Sequence, residues 1–121
     1  MAELDLQAQI AELRVAFAQS IPERLEELDD SVTALEALSS ETSIADIIEA
    51  YVLITRSAHK LNGTASTFGF PFVGGKAAEM EAYLEKLQND NQNPDSQTCD
   101  KIKVFAAEIR EIAIADPDVP L

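Results

Sequence analysis

A chain of 121 residues that is 46% hydrophobic holds one core of ordinary size and not two. With no tryptophan and 6% aromatics, that core rests on Leu, Ile, Val and Ala. A formal net charge of −13, with only nine Lys and Arg, argues against nucleic acid or an anionic membrane surface as a partner.

The single cysteine, Cys99, excludes an internal disulfide and any multi-thiolate metal site, and no carboxylate spacing marks a metal site either. "MAELDLQAQI" lacks the basic and apolar regions of a signal peptide. No uninterrupted apolar run approaches the ~20 residues that span a bilayer. A cytoplasmic protein is expected. Abundant Ala, Leu and Glu, with four Gly and five Pro, favour helices over strands.

In chain order, Leu6, Ile10, Leu13, Phe17, Ile21, Leu25, Leu28, Val32, Leu35 and Leu38 recur in steps of three and four, which marks one helical face. Pro22 interrupts the run, and proline fits best in a first turn. A first helix near 4–19 and a second near 21–38 are therefore predicted, with Ser20 as a cap. One kinked helix is the alternative. "LSSETS" breaks the pattern, and Ser43 followed by Asp46 reads as a helix start. Ile44, Ile47, Ile48, Tyr51, Ile54, Ala58 and Leu61 carry the next stripe, which Gly69 can end in a left-handed cap.

Pro71 opens the following helix, with Val73, Ala77, Met80, Leu84 and Leu87 on its inner face. "NDNQNPDSQ" (89–97) is a loop by composition. A last helix near 96–115 is carried by Ile102, Phe105, Ile109 and Ile112, and 116–121 form a frayed tail. The expected fold is all-α: one domain over 1–121, an antiparallel four-helix bundle with an additional N-terminal helix.

The only histidine, His59, sits in "AHKLNGTASTFGF" (58–70), at the boundary of its helix's apolar stripe. Arg56 lies at i−3, and Thr55, Asn62 and Gly63 share its face. Gly63 costs a helix about 0.5–1 kcal/mol relative to alanine. Two reasons for it stay open: a cleared approach to the imidazole, or close packing against a neighbouring helix.

Between Glu49 and Glu79 there is no acidic residue, whereas Arg56, Lys60 and Lys76 lie inside that window. An even spread of the acids would put roughly five there. Such depletion suits a site that accommodates an anion. Nucleophilic catalysis by serine lacks its elbow motif here. A neutral imidazole, which ordinarily titrates near ~6.5, is itself a nucleophile towards phosphorus. Phosphoryl transfer further requires mostly positioning and charge neutralisation, which a partner can supply.

"AHKLNGTASTFGF", followed by Val73, Ala77, Met80 and Glu81 in a V-x-x-x-A-x-x-M-E pattern, resembles the histidine-containing phosphotransfer (HPt) domain family. "R-x-A-H" and "T-F-G-F" are similar to the N-terminal phosphotransfer domain of chemotaxis histidine kinases, and "F-x-x-x-I-P-E-R-L-E-E-L" (17–28) to the family's lead-in helices.

The resemblance implies a phosphocarrier without an ATP-binding module, phosphorylated on His59, through Nε2, and passing the group to a receiver aspartate. Gly63 matches the small residue that leaves the ring accessible, and Glu81 the carboxylate that bonds the imidazole. Arg56, Lys60, Asn62, Ser66 and Lys76 are the further candidates to support the phosphoryl group or a partner's approach.

The family's lysine three residues after the histidine is Asn62 here, with a lysine instead at Lys60. A second histidine found in chemotaxis kinases corresponds to Ala78. The implied partners are a response-regulator receiver domain and a histidine kinase. Mg²⁺ belongs to those partners, and this chain has no cofactor of its own. A monomeric relay protein is expected, either free-standing or an excised domain of a kinase. The alternative is a non-phosphorylated module of the same fold that binds a receiver or kinase.

Overall fold

The computed structural model describes residues 2–38, 43–90 and 95–120. They form four helices: α1 (Ala2–Glu36), α2 (Ile44–Thr67), α3 (Pro71–Asn89) and α4 (Ser96–Ala115). No strand occurs among them. The expected breaks in "LSSETS" and "NDNQNPDSQ" fall partly at 39–42 and 91–94, outside the described residues.

Each helix packs against its neighbours in the chain, and α1 also packs against α4, while the backbones of the pairs α1–α3 and α2–α4 stay further apart. Four helices thus surround one core. Ile21, Leu25, Leu28, Leu35, Ile54, Phe70, Val73, Met80, Leu84, Ile102 and Ile109 are its largest fully buried side chains. The helix ends follow local chemistry. Ser43 caps α2 by accepting from the Asp46 N–H, and Asp95 caps α4 by accepting from the Thr98 N–H. Pro71 opens α3.

The separate N-terminal helix expected from Pro22 is not a separate element, because α1 runs through it for 35 residues. An interior proline costs a helix about 3 kcal/mol. On either side of Pro22, Phe17, Ile21, Leu25 and Leu28 are all buried in the one core. Burying each such side chain contributes about 1.5–3 kcal/mol, so four of them outweigh the proline. Ser20 does not cap a new helix. Its hydroxyl donates to the Phe17 carbonyl one turn back, 2.6 Å away.

The apolar stripe also outruns its partners. Leu6, Ile10 and Leu13 are exposed, and burial along α1 begins at Phe17. At that level Phe17 meets Phe68 and Phe70, with ring centroids 5.8 and 5.6 Å apart. The two rings straddle Gly69, whose φ of +83° is the left-handed conformation that lets the chain turn from α2 into α3. Arg14 lies over the Phe70 ring and pairs with Asp118 at 3.0 Å. Of the expected frayed tail, 116–120 are instead folded back here, with Val119 in the core, and 121 lies outside the described residues.

Ile21→Ala is expected to lower unfolding free energy by about 2–5 kcal/mol. Ile10→Ser, on the same stripe but beyond the bundle, is expected to change it by no more than about 0.5 kcal/mol. Urea titrations followed by circular dichroism compare the two directly.

Candidate functional site

The buried face of α2, with Tyr51, Ile54, Ala58, Leu61 and Ala65, fixes how the helix is rotated. Its neighbour position His59 is thereby turned outward, its side chain 73% exposed. On α3 the buried Ala77, Met80 and Leu84 do the same for Glu81, which lies at the inner edge with its side chain 15% exposed. The two meet across the helix pair, with His59 Nδ1 2.5 Å from Glu81 Oε2. An ionised carboxylate only accepts, so the bridging proton is on Nδ1. The lone pair of the neutral ring is then on Nε2, the nitrogen away from the carboxylate. The acid-free window around His59 is therefore closed by one carboxylate brought in from the next helix.

As α2 is followed forward, its partners on α3 run backward. Gln88 Nε2 donates to Thr55 Oγ1 at 2.9 Å, Glu81 meets His59, and Gly74 lies against Ser66. Thr55, expected beside His59 as a face neighbour, is thus engaged by Gln88.

The glycines divide between the two readings left open by the sequence. A Cβ placed on Gly63 would meet no atom within 4 Å, so close helix packing is not its reason. The packing glycine is Gly74, which sequence reasoning passed over. A Cβ there would lie 2.6 Å from Ser66 Oγ and 3.3 Å from the Asn62 carbonyl oxygen. The adjacent pair Gly74-Gly75 was the available signal.

Ser66 and Asn62 sit together, with Ser66 Oγ donating to Asn62 Oδ1 at 3.3 Å. Neighbouring hydroxyls behave differently: Thr64 donates to the Lys60 carbonyl and Thr67 to the Gly63 carbonyl. With its oxygen held by Ser66, the Asn62 amide keeps its N–H donors for another acceptor.

Arg56 and Lys60 are exposed on α2 and line a groove towards α1. Lys76 is elsewhere. Its ammonium bonds Glu79 at 2.8 Å and Glu108 of α4 at 3.1 Å. Those two carboxylates, Glu79 first, hold it charged above the ordinary lysine range. The structure thus gathers His59 and Glu81, sets Asn62 with Ser66 on the same helix, and ties Lys76 to the α3–α4 side. No group of three metal-ligating side chains occurs among the described residues.

A family model described as the Hpt domain matches residues 12–114. Searches of curated proteins and of solved structures found no match.

The contrast between the two glycines is measurable. Gly63→Ala is expected to raise stability by about 0.5–1 kcal/mol, the helix-propensity gain without a steric cost. Gly74→Ala is expected to lower it by about 1–3 kcal/mol by forcing α3 away from Ser66. Denaturant midpoints for the two variants test both signs.

Proposed function

The chain belongs to the Hpt domain family, whose members carry phosphoryl groups on histidine in phosphorelays, and from that premise we propose that His59 is its phosphoacceptor. The observation that carries the reading is the His59–Glu81 contact, which leaves Nε2 as the ring's exposed nucleophile. The Nε2 lone pair attacks the phosphorus of a receiver's aspartyl phosphate in line with the acyl oxygen. The N–P bond forms as the P–O bond breaks, and the electron pair leaves on the aspartate carboxylate. The ring becomes a phosphoimidazolium, whose Nδ1–H positive charge faces the Glu81 carboxylate. The reverse step returns the group to an aspartate and leaves the neutral imidazole, its Nδ1 proton unmoved.

Support for this step comes from Asn62 and from Gly63. The Ser66-held amide of Asn62, one turn after His59, donates to a phosphoryl oxygen where a lysine is usual. The open space above Gly63 admits the partner's site. Lys76, occupied by Glu79 and Glu108, takes no part in this reading. The phosphoryl group originates on a histidine kinase or a charged receiver, and Mg²⁺ belongs to that partner. The bundle is read as antiparallel, and the carrier as a cytoplasmic monomer. No helix among the described residues is long and apolar enough to cross a membrane.

The uncharged Asn62 favours one second reading, a module of the same fold that binds a receiver or kinase without being phosphorylated. Incubation with receiver domains charged by acetyl phosphate, followed by intact mass measurement, separates the two. The relay predicts a phosphoryl adduct that is acid-labile, alkali-stable and absent in His59→Gln. An adduct that survives His59→Gln refutes the assignment, and binding with no adduct on any charged receiver favours the second reading.

Glu81→Gln is expected to slow transfer on the order of tenfold to a hundredfold while leaving the fold intact. Gly63→Ala, stabilising in itself, is expected to slow transfer by crowding the approach. Asn62→Ala and Ser66→Ala are each expected to slow it by about twofold to tenfold, with the double variant no slower than Asn62→Ala alone. Quenched-flow phosphotransfer assays measure all of these.

A further inference from the structure

The first helix carries an apolar stripe that the bundle does not use. Leu6, Ile10 and Leu13 are each half exposed or more, although they continue the line of the buried Phe17 and Ile21. From Ala2 to Ala16 the helix is roughly 22 Å long at 1.5 Å per residue. A helix of that length is marginal in water by itself, since helical stability in proteins comes mostly from packing an amphipathic face. The spacing of Leu6, Ile10, Leu13 and Phe17, in steps of four, three and four, is that of a seam between two helices.

The end of the bundle from which the stripe projects is apolar too. Phe72, at the start of α3, is 79% exposed. It borders an open cavity of about 590 Å³ whose walls include Phe70, Val73, Ile112 and Ala115. Phe70 joins the two features, because its ring centroid lies 5.6 Å from that of Phe17.

Charge decides which partner fits. At about 100° per residue, Asp5 and Glu12 fall more than ~100° round the helix from the stripe. The positions beside it are Gln7, Gln9, Arg14 and Ala16. The stripe and its flanks therefore hold no carboxylate, on a chain whose net charge is −13. In a two-fold interface the same patch serves both sides, so a carboxylate near the axis would face a carboxylate. Self-pairing requires their exclusion, whereas a basic partner would be met by acids.

We infer that a second copy of this chain covers the stripe, the two α1 extensions packing antiparallel about a two-fold axis. Ile10 of each copy lies against Leu13 of the other, a contact that the symmetry makes twice. The same register sets Gln7 near Arg14 and brings Leu6 to the level of the other copy's Phe17, beside Phe72 and the cavity. The apolar surface covered is roughly half of the ~800 Å² that each side of a standard interface gives, so the pairing is weak and reversible. The monomer of the relay reading is its dilute form. The pairing rests on α1 and the bundle end and is independent of that reading.

Sedimentation equilibrium of the full chain, from about 5 to about 500 µM, spans the range of such weak association. The average mass is expected to rise from 13.2 kDa towards twice that value. Raising salt from about 50 to about 500 mM is expected to tighten association by about threefold or more, by screening the repulsion between two acidic copies. Ile10→Ser, which leaves the core intact, is expected to weaken pairing by at least about tenfold. Val104→Ser removes a side chain on α4 as exposed as Leu13 and is expected to stay within about twofold of wild type. In a Cys99→Ser background, copies carrying Ile10→Cys are expected to form disulfides with copies carrying Leu13→Cys faster than either forms with itself.

Circular dichroism melts of dilute samples confirm that the variants are folded. A mass that stays at 13.2 kDa throughout, pairing that survives Ile10→Ser, or equal losses in Ile10→Ser and Val104→Ser overturn the proposal. Growth beyond twice that mass does so as well, because a closed two-fold pair stops at two. Faster cross-linking of like with like overturns the antiparallel arrangement.

Discussion

The close approach of α3 to α2 is the constraint on which the site depends. Gly74 lets the two backbones come together where Ser66 projects, since a Cβ there would lie 2.6 Å from the serine hydroxyl oxygen. Two turns further along α3, Glu81 then reaches His59 at 2.5 Å. Further still, Gln88 donates to Thr55 and fixes the same register from the other side. A carboxylate that must bond a largely exposed ring gains little from its own contact with it in water. Its position is set by Ala77, Met80 and Leu84, which are fully buried around it. The precision of a surface site is thus borrowed from the core below it.

The same core explains the first helix. Pro22 penalises the helix locally, but the residues on both sides of it bury into one hydrophobic cluster, and tertiary packing overrides local preference. The extension of α1 beyond Phe17 has no such support, because α2, α3 and α4 all end or begin near the level of the Phe17, Phe68 and Phe70 rings. Amphipathic patterning continues there without burial. Periodicity reports which face of a helix is apolar; it does not report whether another element is present to cover it.

That distinction separates what was legible in the sequence from what was not. The helical class, the starts of α2 and α3 at Ser43 and Pro71, the left-handed Gly69 and the span of α4 follow from local chemistry and were all readable. His59 stood out through its singularity and the acid-free window. The pairing of Glu81 with it was available only through resemblance, because nothing in a one-dimensional pattern brings a residue 22 positions away into contact. Lys76 shows the reverse case. Its place inside the window suggested a role near His59, but its side chain crosses to Glu108 on α4. The fold-back of 116–120 was hidden for a similar reason: "DPDVPL" reads as loop, and only the packed structure supplies the hydrophobic seat for Val119.

Asn62 ties these threads together. A lysine at that position would add a mobile positive charge beside His59. An asparagine adds only a donor, whose usefulness depends on being aimed. Ser66 holds its oxygen rather than back-bonding to the helix as Thr64 and Thr67 do, and Gly74 leaves Ser66 the room to sit there. On the relay reading, preorganisation of a neutral donor would take over part of what charge would do, since an oriented dipole needs no rearrangement at the moment of transfer. The positive charge itself is displaced round the helix to Arg56 and Lys60, where it faces α1 instead of the phosphoryl group. On the relay reading, the donor offered to the phosphoryl group and the cations Arg56 and Lys60 fall on two sides of one helix.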